Sequence, residues 1–355
     1  MSSQNEDNDY LVPETKVLAI ASHVAYGYVI SNHAGYHQLK GTKTTAQEVK
    51  DMYRGICESG LDDFDMMLTG YAPAAAVVEA VANIATDLKN KAEQKGNPGS
   101  FFWVLDPVMG DQGRMYVSDD VAPAYKKMIS FADMILPNQF EAEILSGIKI
   151  TSYPDLARAI ALIHVNYHVP HIIITSVQLP PRPDGSGEVP EDHLVIVGST
   201  ATSDGSPRLF TVTIPKIDCF FSGTGDMFAA LTVARLREAV IDNADTNLRN
   251  KKSWVSDDAV PPTELPLAKA MGKVLSSMHH ILQRTMAARD AELARYIPDE
   301  EDTEAFKELK GEERQAALKK RRFLRETKAA EVRLVRNARF LRQPEKLFEA
   351  KDWVA

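Results

Sequence analysis

Residues 132–147, ADMILPNQFEAEILSG, decide the fold. Ala132 to Leu136 is a short apolar run of buried-strand type, Pro137-Asn138 stops it, and a helix is expected from Phe140 to Leu145. A strand that turns directly into a helix is half of a βαβ unit, and the flanking sequence repeats the pattern. Upstream, Phe101–Leu105 is an apolar strand ending on Asp106-Pro107. Downstream, a helix over Pro154–Val165 leads to the β-branched strand Ile172-Ile173-Ile174, which ends on Thr175-Ser176. Further out, Lys16–Ala21 and Met66–Thr69 read as strands, and Ala74–Lys91 as a helix. Thr45 and Glu48 stand at capping-box spacing ahead of Val49, Met52, Tyr53 and Ile56, which recur at helical period. Strand and helix alternate through most of the first 176 residues, which predicts an α/β fold: a mainly parallel central sheet with helices on both faces. Leu194–Val197 and Leu209–Ile214 are further strands in a turn-rich insertion around Asp184–Arg208. Only helices are expected afterwards, over Thr224–Glu238 and Leu265–Arg289, and then a mixed-charge stretch from Glu301 to Glu349. The expected organisation is a disordered tail at 1–15, one domain at 16–295, and a charged helical extension at 296–355 that packs at least partly on the domain.

Composition narrows the function classes. The 355 residues carry a net charge of −8, which disfavours a general nucleic-acid partner and means that an anionic substrate needs a local donor site. Two cysteines, Cys57 and Cys219, make neither a disulfide framework nor a zinc set. No apolar run approaches the ~20 residues of a membrane span, and the acidic start MSSQNEDNDY is unlike a signal or transit peptide. A cytoplasmic enzyme, with nuclear presence as a further option, is the expectation. The basic and acidic residues of Glu301–Arg333 suit an exposed, salt-bridged helix.

In open parallel sheets, ligands bind beyond the carboxyl ends of the strands. Here those ends carry Ser22-His23, Thr69-Gly70-Tyr71, Asp106, Asn138 and Thr175-Ser176, five polar strand ends on one expected rim. The reaction class comes from Ser222-Gly223-Thr224-Gly225-Asp226, which opens the apolar helical run MFAALTVARL. Glycines let backbone approach a ligand closely, and a helix start offers unpaired N–H groups to an anion. Asp226 falls in the first turn, where the helix dipole favours a carboxylate. An anion-binding loop beside a carboxylate suits phosphoryl transfer, with Asp226 taking the proton of an attacking hydroxyl. The alternative is a plain glycine turn with an acid in the first helical turn. In the same way Asp106-Pro107 could be a strand-ending turn, and Asn138 a helix cap. His23, His33, His279 and His280 form no metal-ligand pattern, and Cys219 reads as a small wall residue.

Taken together, these stretches resemble the pyridoxal kinase family of the ribokinase-like superfamily. The matching segments are SHVAYGYV (22–29), SNHAGYHQLKG (31–41), LTGY (68–71), DPVMGD (106–111), MYV (115–117), LPNQFEAEILSG (136–147), IIITS (172–176), GTGDMFAA (223–230) and MHHILQRT (278–285). The resemblance implies ATP-dependent phosphorylation of the 5′-hydroxymethyl group of pyridoxal, pyridoxine or pyridoxamine. It implies Asp226 as catalytic base and Gly223, Thr224 and Gly225 as the anion hole. Ser22, Ala34 and Tyr71 would lie beside the vitamin ring together with Asp226. Asp106, Asn138, Thr175, Ser176, Tyr116, Ile214, Ile217, Phe220, Gly223 and Thr224 would line the ATP site, Tyr116 from a flap-like loop. Asp106, Asp111 and Glu141 would form the neighbourhood of Mg²⁺, a hard cation that takes oxygen ligands and waters. A monovalent cation, K⁺ or Na⁺, and a homodimer are further implications, with no nucleic-acid or membrane partner.

The sequence departs from the family at several places, among them a short stretch between DPVMGD and MYV and an added charged segment at 291–335. A single residue, Ile30, joins the GYV and SNH segments where the family has a helix and most of a strand, a loss of about two dozen residues where parallel strands need a crossover of a dozen or more. A truncated first βαβ unit is therefore expected. Ala34 and Leu136 stand where threonines are common, the first beside the ring and the second near the cation. The gap keeps an alternative open: a catalytically impaired, kinase-like binder of nucleotide or vitamer, or a splice or gene-model variant.

Overall fold

Alternation along single strands shows how the sheet is covered. Phe102 and Val104 join one buried cluster, while Trp103 and Leu105, their neighbours in the chain, join another on the opposite face. All four are at most 1% exposed. In the computed structural model, which describes residues 13–21, 43–177, 179, 190–219, 221, 223–295 and 309–354, these residues form β3 (Phe102–Leu105) of an eight-stranded sheet.

The order along the sheet is β1 (Val17–Ile20), β2 (Met66–Thr69), β3, β6 (Met134–Ile135), β7 (His171–Val177), β8 (His193–Ala201), β9 (Pro207–Pro215) and β10 (Lys351–Asp352). The first five are parallel and β7 to β10 are joined antiparallel. A small separate hairpin, β4 (Gly110–Asp111) and β5 (Arg114–Met115), follows β3. One face carries α1 (Ala46–Glu58), α2 (Ala75–Gln94), α3 (Val121–Met128), α4 (Gln139–Ser146) and α5 (Tyr153–Tyr167). The other carries α6 (Thr224–Ile241) and α7 (Pro266–Ala294). The sheet-and-helix expectation holds, and the helices run one to five residues past their expected ends.

The first unit needs a correction. The gap at Ile30 suggested that Lys16–Ala21 would lack a normal parallel unit. In the structure β1 does lie parallel to β2, Val17 opposite Met66 and Ile20 opposite Thr69, and α1 sits in the connection. Residues 21–65 are long enough for this crossover. What β1 lacks, among the described residues, is a strand on its other side: its residues alternate exposed and half-buried, with Val17 38% exposed. The junction at Ile30 itself and most of the expected tail, residues 1–12, lie outside the described residues.

The charged extension is anchored on the α6/α7 face. Helix α8 (Gly311–Ala329) carries an Arg322–Glu326 ion pair at 2.9 Å, as its charge pattern suggested. After α8, Arg333 N donates to Thr285 Oγ1, and α9 (Ala338–Arg342) offers the Leu341 and Arg342 carbonyls to buried Arg235 at 2.6 and 2.8 Å. His279 meets Phe348 edge-on and His280 stacks on Phe340, so both histidines pack the C-terminal stretch in place.

Candidate active site

The carboxyl ends of β2, β3, β6 and β7 and the start of α6 share one rim. At the end of β2, Gly70 N donates to Ile20 O, and Tyr125 from α3 reaches Gly70 O at 3.4 Å, fixing the turn that carries half-buried Tyr71. At the end of β3, Asp106 N donates to Thr69 O at 2.8 Å, and the chain then folds into the β4–β5 hairpin. Gln112 and Gly113 both have positive φ, 48° and 77°, which is what a tight two-residue hairpin turn requires. Gly110 has no room for a side chain: a Cβ there would stand 2.1 Å from the Arg114 carbonyl oxygen and 2.8 Å from the Phe140 ring.

After β6, Asn138 starts α4 with a capping box. Its Oδ1 accepts from Glu141 N, and its own N–H donates to Glu141 Oε2, both at 2.9 Å. Glu141 Oε1 accepts from Met109 N at 2.8 Å and Gly110 N at 3.4 Å, while Asn138 Nδ2 donates to Gly110 O at 2.7 Å. At the end of β7 the register to β8 shifts between Ile174 and Val177, and Ser176 adopts a φ of 57°. This is a bulge, a device that re-aims side chains at a rim, and it brings Thr175 beside Asn138. On the far side of the rim, Gly223 adopts a left-handed φ of 81° as N-cap of α6, which places Asp226 in the first turn. A Cβ at Gly225 would meet no described atom within 4 Å, so the helix start opens onto unfilled space.

The carboxylates of this rim act on one another. Burial raises Asp106 well above its usual range, and the charges of Glu141 and Asp226 raise it further. Burial pushes Glu141 up to about 7 against three backbone N–H bonds, and pushes Asp226 up to about 6. Buried Tyr125, below the rim, is raised by burial and then by Asp106 and Glu141. Mutual repulsion of this kind places the ends of β3, α4 and α6 in one electrostatic neighbourhood whose charge calls for cationic or hydrogen-bonding company.

Residues 19–269 match the family model described as phosphomethylpyrimidine kinase. The human pyridoxal kinase is 32% identical over 311 residues, covering 79% of this chain and 88% of its own length. The sheep pyridoxal kinase is 34% identical over 310 residues, covering 78% and 88%. The chain belongs to the pyridoxal kinase family. The Leishmania donovani pyridoxal kinase in complex with ADP and pyridoxamine shares the fold, with a TM-score of 0.68 at 23% identity over 96% of this chain and all of that one.

Most residues expected from the pyridoxal kinase resemblance gather on this rim. Tyr71, Asp106, Asp111, Asn138, Glu141, Thr175, Ser176 and the Gly223–Asp226 turn stand at the strand ends, the hairpin and the helix starts just described. Tyr116 follows β5, is 47% exposed, and its N–H donates to Met109 O, so the expected flap residue stands beside this hairpin. Ile214 and Ile217 pack against the α6/α7-side core. Ser22, Ala34 and Phe220 lie outside the described residues. Leu136 is 4% exposed and its side chain, which carries no oxygen, packs in that same core.

The expected neighbourhood of Mg²⁺ at Asp106, Asp111 and Glu141 is not a cage of protein side chains. Among the described residues, no group of three or more His, Cys, Asp or Glu side chains is placed to hold a metal ion. Glu141 engages both oxygens with backbone N–H groups instead, so Asp106, Asp111 and Glu141 do not form a protein cage. Mg²⁺ does not need one, because it keeps several waters and binds through one or two carboxylates and substrate phosphates. The hard, mutually repelling oxygens at Asp106 and its neighbours fit that mode. Two features escaped the sequence. Tyr125 lies on α3, a short helix that no expectation covered. The double use of Asn138 and Glu141 was signalled only by their i, i+3 capping-box spacing.

Proposed function

We propose that the chain transfers the γ-phosphoryl group of ATP to the 5′-hydroxyl of pyridoxal, and of pyridoxine and pyridoxamine, with Asp226 as general base. The observation that carries this reading is Asp226 itself: a half-buried carboxylate, raised by that burial to about 6, in the first turn of α6, three residues after the left-handed Gly223. A raised carboxylate is a better base than an ordinary one and is still ionised at neutral pH. Asp226 accepts the hydroxyl proton, the freed oxygen pair bonds to the γ-phosphorus, and the bond to the β-phosphate bridging oxygen breaks to leave ADP. The backbone N–H groups of Gly223, Thr224 and Gly225 hold the phosphoryl oxygens, which suits a reaction governed by positioning and charge stabilisation. Open space at Gly225 leaves room for that approach.

Asp106 and Asp111 would hold Mg²⁺ together with phosphate oxygens, Glu141 lying behind them, and the ion would offset triphosphate charge when bound. Thr175, Ser176 and Tyr116 would border the nucleotide, and Tyr71 the vitamin ring. Family membership supports a cytoplasmic homodimer; among the described residues no helix is long and apolar enough to cross a membrane.

The test is Asp226→Asn, assayed for pyridoxal 5′-phosphate at saturating ATP and pyridoxal. We expect kcat to fall about 100-fold or more with the KM for ATP changed only several-fold. A variant that turns over near the parent rate removes Asp226 from the base role. A second reading, binding with impaired turnover, is favoured by one observation, the one-sided exposure of β1. It wins if the parent chain binds ATP and pyridoxal but makes no product.

A further inference from the structure

We propose that Asn138 and Glu141 are positioning residues that latch the β4–β5 hairpin onto α4, so that the cap of one helix sets where the flap begins. A capping box uses one acceptor on each side chain, here Asn138 Oδ1 and Glu141 Oε2. Each side chain then has a second polar end, and both of these engage the same stretch of backbone. Glu141 Oε1 takes the N–H groups of Met109 and Gly110, and Asn138 Nδ2 gives to the Gly110 carbonyl. Gly110 is therefore held through both of its backbone groups, at the residue where the hairpin starts and where no side chain fits. Glu141 is 3% exposed, and buried hydrogen bonds to a carboxylate are the strong kind.

The chain contains its own control. Thr45 and Glu48 form the same reciprocal box at the start of α1, with Thr45 N to Glu48 Oε2 at 2.7 Å and Glu48 N to Thr45 Oγ1 at 3.2 Å. That box is exposed, and its hydrogen bonds stay between Thr45 and Glu48. The box at α4 has a second task because it is buried against the hairpin. Asp111 and Tyr116 are carried by that hairpin, so a loosened Gly110 displaces the nucleotide side of the rim and leaves the turn at Tyr71 in place.

The inference rests on the kinase reading only for its kinetic consequence; the latch itself is tested without turnover. Asn138→Ser keeps a good N-cap and removes the amide that reaches Gly110. The full chain is exposed to trypsin without nucleotide, and cleavage after Arg114, in the exposed hairpin, is followed by mass spectrometry. We expect Asn138→Ser to speed cleavage at Arg114 about 5-fold or more, the scale of one lost hydrogen bond acting on local opening. Cleavage at Arg54 in α1 and Arg158 in α5 should not change. The KM for ATP should rise several-fold while the KM for pyridoxal stays at the parent value. Glu141→Gln should act in the same direction, and Glu48→Gln should leave the Arg114 site as in the parent. Unchanged cleavage at Arg114, or equal acceleration at all three arginines, overturns the latch. A chain that makes no pyridoxal 5′-phosphate but shows the selective cleavage overturns the kinase reading and leaves the latch standing.

Discussion

The two sides of the rim differ in how firmly they are closed. On the side of β6, β7 and α6, the turns are tied from several directions: Gly110 by Asn138 and Glu141, Thr175 by the Pro137 carbonyl, and the start of α6 by Met227 N to Gly223 O. On the side of β1, one strand of four residues has a single neighbour among the described residues, and its side chains reach no further than half burial. The turns around Gly110, Thr175 and Gly223 make these bonds among themselves and not with β1. On the proposed function, activity toward ATP and completeness around the vitamin are therefore expected to be separable in this chain.

The strongest way to break the closed side is Gly110→Ala. The methyl group meets a backbone carbonyl at 2.1 Å and cannot be accommodated by a side-chain shift. Overpacking of this kind costs about 1–3 kcal/mol or more. We expect kcat/KM for ATP to fall about 100-fold as the hairpin is displaced, with the KM for pyridoxal nearly constant in steady-state assays. A loss shared equally by both substrates would erase the distinction between the two sides.

A second prediction uses pH. Asp226, at about 6, lies above an ordinary aspartate because its charge is buried, so the folded chain holds a proton that the unfolded chain has already released between about pH 4 and 6. Stability from this group is present at low pH and is lost as pH rises through that window. His164 and His171 are buried with values near 4 and act in the opposite sense, stabilising above about pH 6.5 and losing that contribution as pH falls. Asp226→Asn removes only the first effect. Denaturant melts without ligand should give nearly equal stabilities for parent and variant near pH 3, below the unfolded-state value. Near pH 7.5 the variant should be more stable by about 2–3 kcal/mol. Curves that stay parallel across this range would mean that Asp226 is well solvated.

The smallest expected effect tests the open side. Insertion of a helix and strand between Val29 and Ser31 should cover the exposed edge of β1 and raise the melting temperature by about 2–4 °C for each kcal/mol gained. It should lower the KM for pyridoxal more than that for ATP. An insertion that changes neither would show that β1 needs no further neighbour.

How much of this was legible depends on the range of the interactions involved. The strand Met66–Thr69 was read residue for residue, and Phe101–Leu105 to within one residue, because both are apolar runs buried on two faces. Asp226 was legible because a glycine turn and a helix start are local signals. The β4–β5 hairpin was not, since its strands are two residues long and Gln112 is an unusual residue for positive φ. The pairing of Lys351–Asp352 with Phe210–Thr211 was also hidden, because no local pattern marks a partner so distant in sequence. For Glu141 the resemblance implies a place near the ion, and nothing in the local sequence marks its bonds to Met109 and Gly110. Its burial beside Met109 and Gly110, which turned its oxygens to the backbone, is a tertiary fact.

The mixed character of the sheet also has a consequence for how it assembles. β8 and β9 pair over nine residues each, from His193 with Pro215 to Ala201 with Pro207, across the short turn at 202–206. Hairpins of this kind close within microseconds, whereas each parallel pair must wait for a crossover helix to bring its strands together. The antiparallel end thus closes the shortest loop in the sheet, and it still needs β7 and the core for stability of its own. β1 and β10, at the two borders, join through the longest connections. The turn at Gly223 is the next element after β9, so the proposed base, Asp226, stands close in sequence to the pairing that closes the shortest loop in the sheet.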